Sequence, residues 1–208
     1  MYNKNNFQIV DLASKDGRHQ DGVHITKNYT EVTNGHYVVR VLAPKNSEKM
    51  VEEFPRLGDK KPVELEENGC IISSKFAKAV GDAIPKNPNL PILENAVIVE
   101  SENVVTLHSG DDDIEFAVTD LEVTRFLKGR KIDRRFPDTN SVIPKGDGKF
   151  IISANPDYLI KILQQYKKMQ IKTVRFDFYA ENELIKITGT NADKEQECLA
   201  VLMPTKTE

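Results

Sequence analysis

Apolar and polar positions alternate along residues 23–43. The run VHITKNYTEV is followed by Asn34-Gly35 and then HYVVRVLA. Asn-Gly between two β-rich runs predicts a hairpin, because both residues tolerate the positive φ of a tight turn. The start, MYNKNNFQIVDLASKDG, is polar and mixed, and predicts loose order. Residues 44–62 are charged and broken by proline, which predicts a connector with a short helix over 47–53.

A second block follows. Residues 63–73 have strand character. SSKFAKAVGDAI then spaces Phe76, Val80, Ala83 and Ile84 for one helical face, predicting a helix over about 74–84 that Pro85 ends. Strands are predicted at 96–100, 104–109 and 114–119, with a turn over 110–113. Residues 124–135 read as a basic stretch, and RRFPDTNSVIPKGDG as an extended prolyl connector.

The third block repeats the plan. KFIISA predicts a strand. Asn155 suits an N-cap, Pro156 the first helical position and Asp157 the first turn. Leu159, Ile162, Leu163 and Tyr166 share one face of a helix over 156–169. Strands are predicted at 173–179, 184–190 and 198–203. Residues 63–135 and 149–203 are thus both strand–helix–strand–strand–strand units, a repeat of structure rather than of letters. They predict an α+β fold with antiparallel sheets and two helices side by side on one face. The expected division is an N-terminal hairpin and connector over 1–61, then one domain over 62–208. That domain holds two βαβββ half-units, 62–136 and 148–208, joined by a connector at 136–147.

The chain has 208 residues, of which 39% are hydrophobic and 29% charged, enough apolar material for a real core. No run approaches the ~18 apolar residues of a spanning helix, and no signal peptide is evident, so a cytoplasmic protein with no membrane contact is expected. Cys70 and Cys198 lack C-x-x-C spacing and sit among apolar residues, where they are expected to fill core space.

Catalytic motifs are missing. His19, His24, His36 and His108 fall in no metal or catalytic pattern, and no nucleophile elbow or phosphate loop occurs. Asp111-Asp112-Asp113 reads as a solvated turn rather than a calcium loop. No enzyme activity, cofactor or metal is expected.

The net charge of −3 argues against a nucleic-acid binder, but its distribution is uneven. The second predicted helix carries Lys161, Lys167 and Lys168, with Lys172 just beyond, against Asp157 alone. The first carries Lys75, Lys78 and Lys86 against Asp82. Acidic residues gather instead at 48–67 and 100–122. Lysines on a helix usually mark a solvated face. A face set against a phosphate backbone has the same pattern.

Several segments resemble bacterial DNA polymerase III β subunits, the sliding clamps. Thr33-Asn34-Gly35-His36-Tyr37-Val38 is similar to their T-D-G-H-R-L strand. Asn89-Leu90-Pro91-Ile92-Leu93-Glu94-Asn95 and Thr119-Asp120-Leu121-Glu122 resemble L-P-I-L-x-N and T-D-L-E. Arg135-Phe136-Pro137-Asp138, ending in Val142-Ile143-Pro144, resembles the R-F-P-D connector, and Leu199-Ala200-Val201-Leu202-Met203-Pro204 the closing strand. The departures are Asn34 and Tyr37 in the first motif, Thr139, Asn140 and Ser141 in the connector, and a Thr205-Lys206-Thr207-Glu208 tail.

The resemblance implies a clamp (processivity) fold. In clamps the unit repeated here is half of one domain, and its helices line the DNA hole with basic side chains. It therefore implies a non-enzymatic processivity factor that holds duplex DNA non-specifically through Lys75, Lys78, Lys161, Lys167, Lys168 and Lys172. It also implies a groove for a short hydrophobic peptide of polymerase or repair proteins, built from Thr33, Gly35, His36, Val38, Pro137, Val142, Val201, Met203 and Pro204. A bland alternative is that these groove residues only pack half-units together. A ring would need several copies, so a homo-oligomer is implied. The other functional reading is a monomeric peptide-binding module that recruits or titrates replication partners without encircling DNA.

Overall fold

The computed structural model describes residues 1–13, 22–45, 53–86, 90–100, 113–120, 122–146, 148, 151–180, 183–191 and 196–205. The chain divides into two compact units, Met1–Val142 and Ile143–Glu208.

The first unit opens with strand β1 (Tyr2–Asn3) and helix α1 (Lys4–Gln8), followed by a 3-10 turn at Ile9–Leu12. The Asn3 side chain accepts from Asn5 N at 3.0 Å, and Asn3 N donates to the Asn6 side chain at 3.0 Å. That reciprocal capping satisfies donors a short helix otherwise leaves open. Strands β2 (Val23–Ile25), β3 (Tyr29–Thr33) and β4 (Val38–Leu42) follow. After the connector come β5 (Cys70–Ile72), α2 (Ser74–Ala83), β6 (Asn95–Val99), β7 (Asp113–Thr119) and β8 (Thr124–Arg130).

Two four-stranded antiparallel sheets result, β1-β6-β7-β8 and β4-β3-β2-β5. Residues 2–42 and 70–130 are each a βαβββ half-unit, and each lends its first strand to the other's sheet. β1 pairs with β6 through Tyr2↔Ala96, and β5 pairs with β2 through Ile72↔Val23. One core holds them together. Phe7, Ile9 and Val10 meet Ala77, Val80 and Ile84 over Val23, Ile25 and Val32 of one sheet and Ile98, Phe116 and Val118 of the other. The helix packed against α2 is α1, and they cross closely: a Cβ on Gly81 would lie 2.8 Å from Phe7 Cβ.

This corrects the N-terminal reading. Residues 1–61 are not an accessory hairpin; they contain a half-unit whose helix is disguised by its polar sequence, KNNFQ. Asn6 is fully buried, and its amide donates to Thr30 Oγ1, Val41 O and Leu42 O at 3.1–3.2 Å. The stretch at 124–130, read as merely basic, is the edge strand β8. Of the expected strand at 63–73, only Cys70–Ile72 enters a ladder. Most of the expected helix at 47–53, the strand at 104–109 and residues 110–112 lie outside the described residues.

The second unit is one half-unit. Helix α3 (Pro156–Lys168) packs on the antiparallel sheet β9 (Val174–Asp177), β10 (Ile185–Asn191) and β11 (Gln196–Leu202), in the order β11-β10-β9. Tyr166, Ile171, Ile185, Ile187 and Leu202 form its core. The Tyr166 hydroxyl donates to Ile187 O at 2.7 Å, pinning the helix to the middle strand. Of the expected strand KFIISA, residues 149–150 lie outside the described residues and 151–154 join no ladder.

Candidate nucleic-acid and peptide interfaces

The two long helices present lysine to solvent for one reason: each spends its opposite face on the core. On α2, Ala77, Val80 and Gly81 are buried, which leaves Lys75 and Lys78 outward and exposed. The Ser73 side chain caps it, accepting from Phe76 N at 3.2 Å. On α3, Asn155 caps by accepting from Asp157 N at 2.9 Å. Asp157 in the first turn and Lys167 and Lys168 in the last complement the helix dipole. Lys161, Lys167, Lys168 and, beyond the helix, Lys172 are all exposed. Among the described residues none of these six lysines is in an ion pair.

Four of the six first-unit groove candidates, Gly35, His36, Pro137 and Val142, are exposed. Gly35 and His36 sit at the β3–β4 turn, where Gly35 has φ +86° and Asn34 Oδ1 accepts from His36 N at 3.0 Å. Thr33 is buried and pairs with half-buried Val38 across the strands. Val39 and Val41 pack on the core, so Val38 and Arg40 point to the sheet's other face. Pro137 and Val142 are exposed on the connector that crosses that face.

A buried charge cluster unforeseen from sequence holds this connector. The Glu31 side chain is 1% exposed. Arg40 Nε and Nη2 donate to Glu31 Oε2 at 3.0 and 2.8 Å, and Thr139 Oγ1 donates to it at 2.9 Å. His24 Nδ1 lies 2.9 Å from Glu31 Oε1, and its Nε2 lies 2.8 Å from Asn68 O. Arg40 Nη2 also donates to Asn140 Oδ1 at 2.9 Å, while Phe136 stacks on the His24 ring at 4.5 Å. Burial pushes the Glu31 carboxyl up, but the hydrogen bonds from His24, Arg40 and Thr139 outweigh it and hold the group below its ordinary value. An open polar cavity of about 660 Å³ lies alongside, lined by Tyr29, Glu67, Lys131, Arg134 and Asp138 among others. The sequence signal was the alternation in YTEVT and VVRVL, which places Glu31 and Arg40 opposite each other on the non-core face.

The remaining candidates belong to the second unit. Cys198, Ala200 and Leu202 face the core, so Leu199, Val201 and Met203 line the sheet's other face, 57%, 49% and 69% exposed. Pro204 is half-buried after them. This is an unbroken apolar row on one strand.

Other chemistry is sparse. Burial pushes the Cys70 thiol up to about 11, which fits a space-filling residue and not a nucleophile. Among the described residues no three His, Cys, Asp or Glu side chains could hold a metal ion. His19, His108, Asp111 and Asp112 lie outside the described residues. No described helix is long and apolar enough to cross a membrane.

No protein-family model matches the chain, and no curated protein does. Solved structures do. The Caulobacter crescentus β sliding clamp is 16% identical, with TM-score 0.57, over 97% of this chain and 49% of that one. DNA polymerase III subunit β from Borrelia burgdorferi is 13% identical, with TM-score 0.58, over 98% and 46%. The sliding clamp of Bartonella birtlesii is 19% identical, with TM-score 0.54, over 99% and 50%. The chain spans about half the length of these structures, and its repeated βαβββ half-units, antiparallel sheets and paired helices are the fold of the bacterial β sliding clamps.

Proposed function

We propose that the protein is a non-enzymatic, clamp-like processivity factor of the cytoplasm, which holds duplex DNA without sequence preference and binds polymerase-type partners through a short hydrophobic peptide. The observation that carries the DNA part is the two helices whose lysines are exposed and, among the described residues, without ion pairs, on a fold shared with sliding clamps. Lys75, Lys78, Lys161, Lys167, Lys168 and Lys172 are the proposed phosphate contacts. Binding of this kind is weak and falls steeply with salt, by about 0.9 in log–log slope for each phosphate neutralised. Reversing Lys161 and Lys168 to glutamate should flatten the slope by about two without changing the melting temperature. A wild-type chain that ignores DNA at low salt, or an unchanged slope in the variant, refutes the DNA reading.

The apolar row on β11 supports the peptide part. The proposed peptide contacts are Val201, Met203 and Pro204 in the second unit and Thr33, Gly35, His36, Val38, Pro137 and Val142 in the first. A peptide rich in Leu and Phe would bury its side chains there at about 25 cal/mol per Å², before entropic costs. Met203 is the most exposed of the row, so Met203→Glu should abolish peptide binding and leave stability unchanged. Titration calorimetry with such a peptide checks this; equal affinity in the variant rejects the groove. Peptide binding without any DNA association would favour the second reading, a module that recruits or titrates replication partners without encircling DNA.

A further inference from the structure

The lone half-unit can be superposed on its neighbour residue by residue. Ser73 and Asn155 cap α2 and α3. Two residues before each cap, the backbone makes the same bond to the end of its own half-unit: Ile132 N donates to Ile71 O, and Thr205 N to Ser153 O, both at 2.8 Å. Ile72 therefore corresponds to Ala154, Cys70 to Ile152, and Gly81 to Leu163. In the same alignment β6 corresponds to β9, with Ala96 matching Val174 and Ile98 matching Phe176.

Two edges used in the first unit are vacant in the second. β5 gives its outer edge to β2, and β6 takes β1. Among the described residues, neither 151–155 nor the outer edge of β9 has a ladder partner. The helix flank that α2 turns to α1 is also uncovered on α3. In the first unit Lys4, Gln8, Asp11, Lys78 and Asp82 line this seam. By the caps, their counterparts are Pro156, Ile160, Leu163 and Gln164: polar and charged positions have become largely apolar. Ile160 is 50% exposed.

We propose that two copies of this chain complete each other through the second unit. Residues 151–154 of one copy add to the β9 edge of the other, and the α3 helices pack antiparallel along Ile160 and Leu163. The vacancies are reciprocal, so one two-fold axis fills both edges at once, as the exchange of β1 and β5 does within the first unit. The register carries over: Ile152 would face Phe176 of the second copy, and Ala154 would face Val174. Where Gly81 lets Phe7 in, Leu163 would meet Leu159 of the second copy at a wider helix spacing. Charge agrees, because antiparallel helices set Asp157 at the end where the other copy carries Lys167 and Lys168. The proposal does not rest on DNA or peptide binding, since Lys161, Lys168 and the β11 row lie on other faces of the unit, and only Lys167 shares the seam.

Sedimentation equilibrium of the full chain at micromolar concentration tests it, with twice the 23.5 kDa chain mass expected. Ile160→Glu with Leu163→Glu should give the monomer mass, with the far-ultraviolet spectrum retained as evidence of folding. Should that variant unfold, the cysteine pair decides. Ile152→Cys with Phe176→Cys in one chain should form a covalent dimer on oxidation, and neither single substitution should. A monomeric wild-type chain overturns the proposal. So does a dimer that resists the glutamates, or one in which the cysteine pair gives no cross-link between copies.

Discussion

Arg40→Ala is expected to destabilise the first unit by about 3–5 kcal/mol, the usual cost of stranding a buried charge, and to lower Tm by roughly 10 °C. The reason is Glu31, with its side chain 1% exposed and Arg40 as its ion-pair partner at 2.8 Å. Removing the guanidinium takes two donors from Glu31 Oε2 and its bonds to Thr139 and Asn140, leaving the connector tied to the cluster through Thr139 and Glu31 alone among these bonds, so it loosens. Urea denaturation measures the loss; a change under about 1 kcal/mol would show that Glu31 is solvated or protonated instead. The same cluster sets an acid response. A folded pKa held below the ordinary 4.5 means that Glu31 contributes stability above that value. That contribution is lost as pH falls through the folded pKa. Glu31→Gln should remove this part of the acid dependence, at the expense of lower stability at neutral pH.

Gly69→Ala should cost about 3 kcal/mol, an unusual amount for adding one methyl group. Gly69 has φ +62°, where an L side chain is strained. Its Cβ would also overlap the carbonyl oxygen of Ile25. That oxygen cannot rotate away, because Ile25 pairs with Cys70 in the β2–β5 ladder. The neighbouring Asn68 carbonyl is the partner of His24 Nε2, so relief by shifting the turn would disturb the Glu31 cluster. Chemical denaturation should show a lower midpoint with an unchanged m-value. A midpoint like that of the wild type would mean that the turn rearranges freely.

The elements with strong periodicity were legible. Phe76, Val80 and Ile84, and Leu159, Ile162 and Tyr166, repeat at helical spacing and begin after good caps, so α2 and α3 stand within a residue or two of their expected bounds. The half-unit at 2–42 was not legible, for two reasons. Its first strand is two residues long, and its helix buries an asparagine where a pattern search expects an aliphatic side chain. Only the Asn3–Asn6 capping pair hinted at a helix start. β8 was missed because an edge strand exposes most of its side chains: Phe126 is 40% exposed, and Gly129 keeps space for the Phe76 ring. Of the interface residues, the lysines followed from helical phase and the β11 row from strand alternation. The Glu31 cluster did not, because Arg40 and Thr139 become neighbours only once a connector folds back over the sheet. The clamp resemblance located that connector but said nothing of the charge beneath it, since the motif arginine at position 37 is tyrosine here and the ion-pairing arginine stands three residues later.

The exchange of first strands has a consequence for how the chain is made. Tyr2 finds its sheet partner only at Ala96, and Val23 only at Ile72. On the ribosome, the earliest segment must therefore wait for most of the first unit to emerge before its pairing exists. Such sequence-distant pairing slows folding. Truncations before Asn95 should leave β1 without its partner strand and α1 without the second half of its core, as exposed, sticky segments. The second unit closes its sheet within residues 174–202 and has no such delay. Synthesis thus runs against folding order for these two units: the second, made after the first, can acquire its local structure before it.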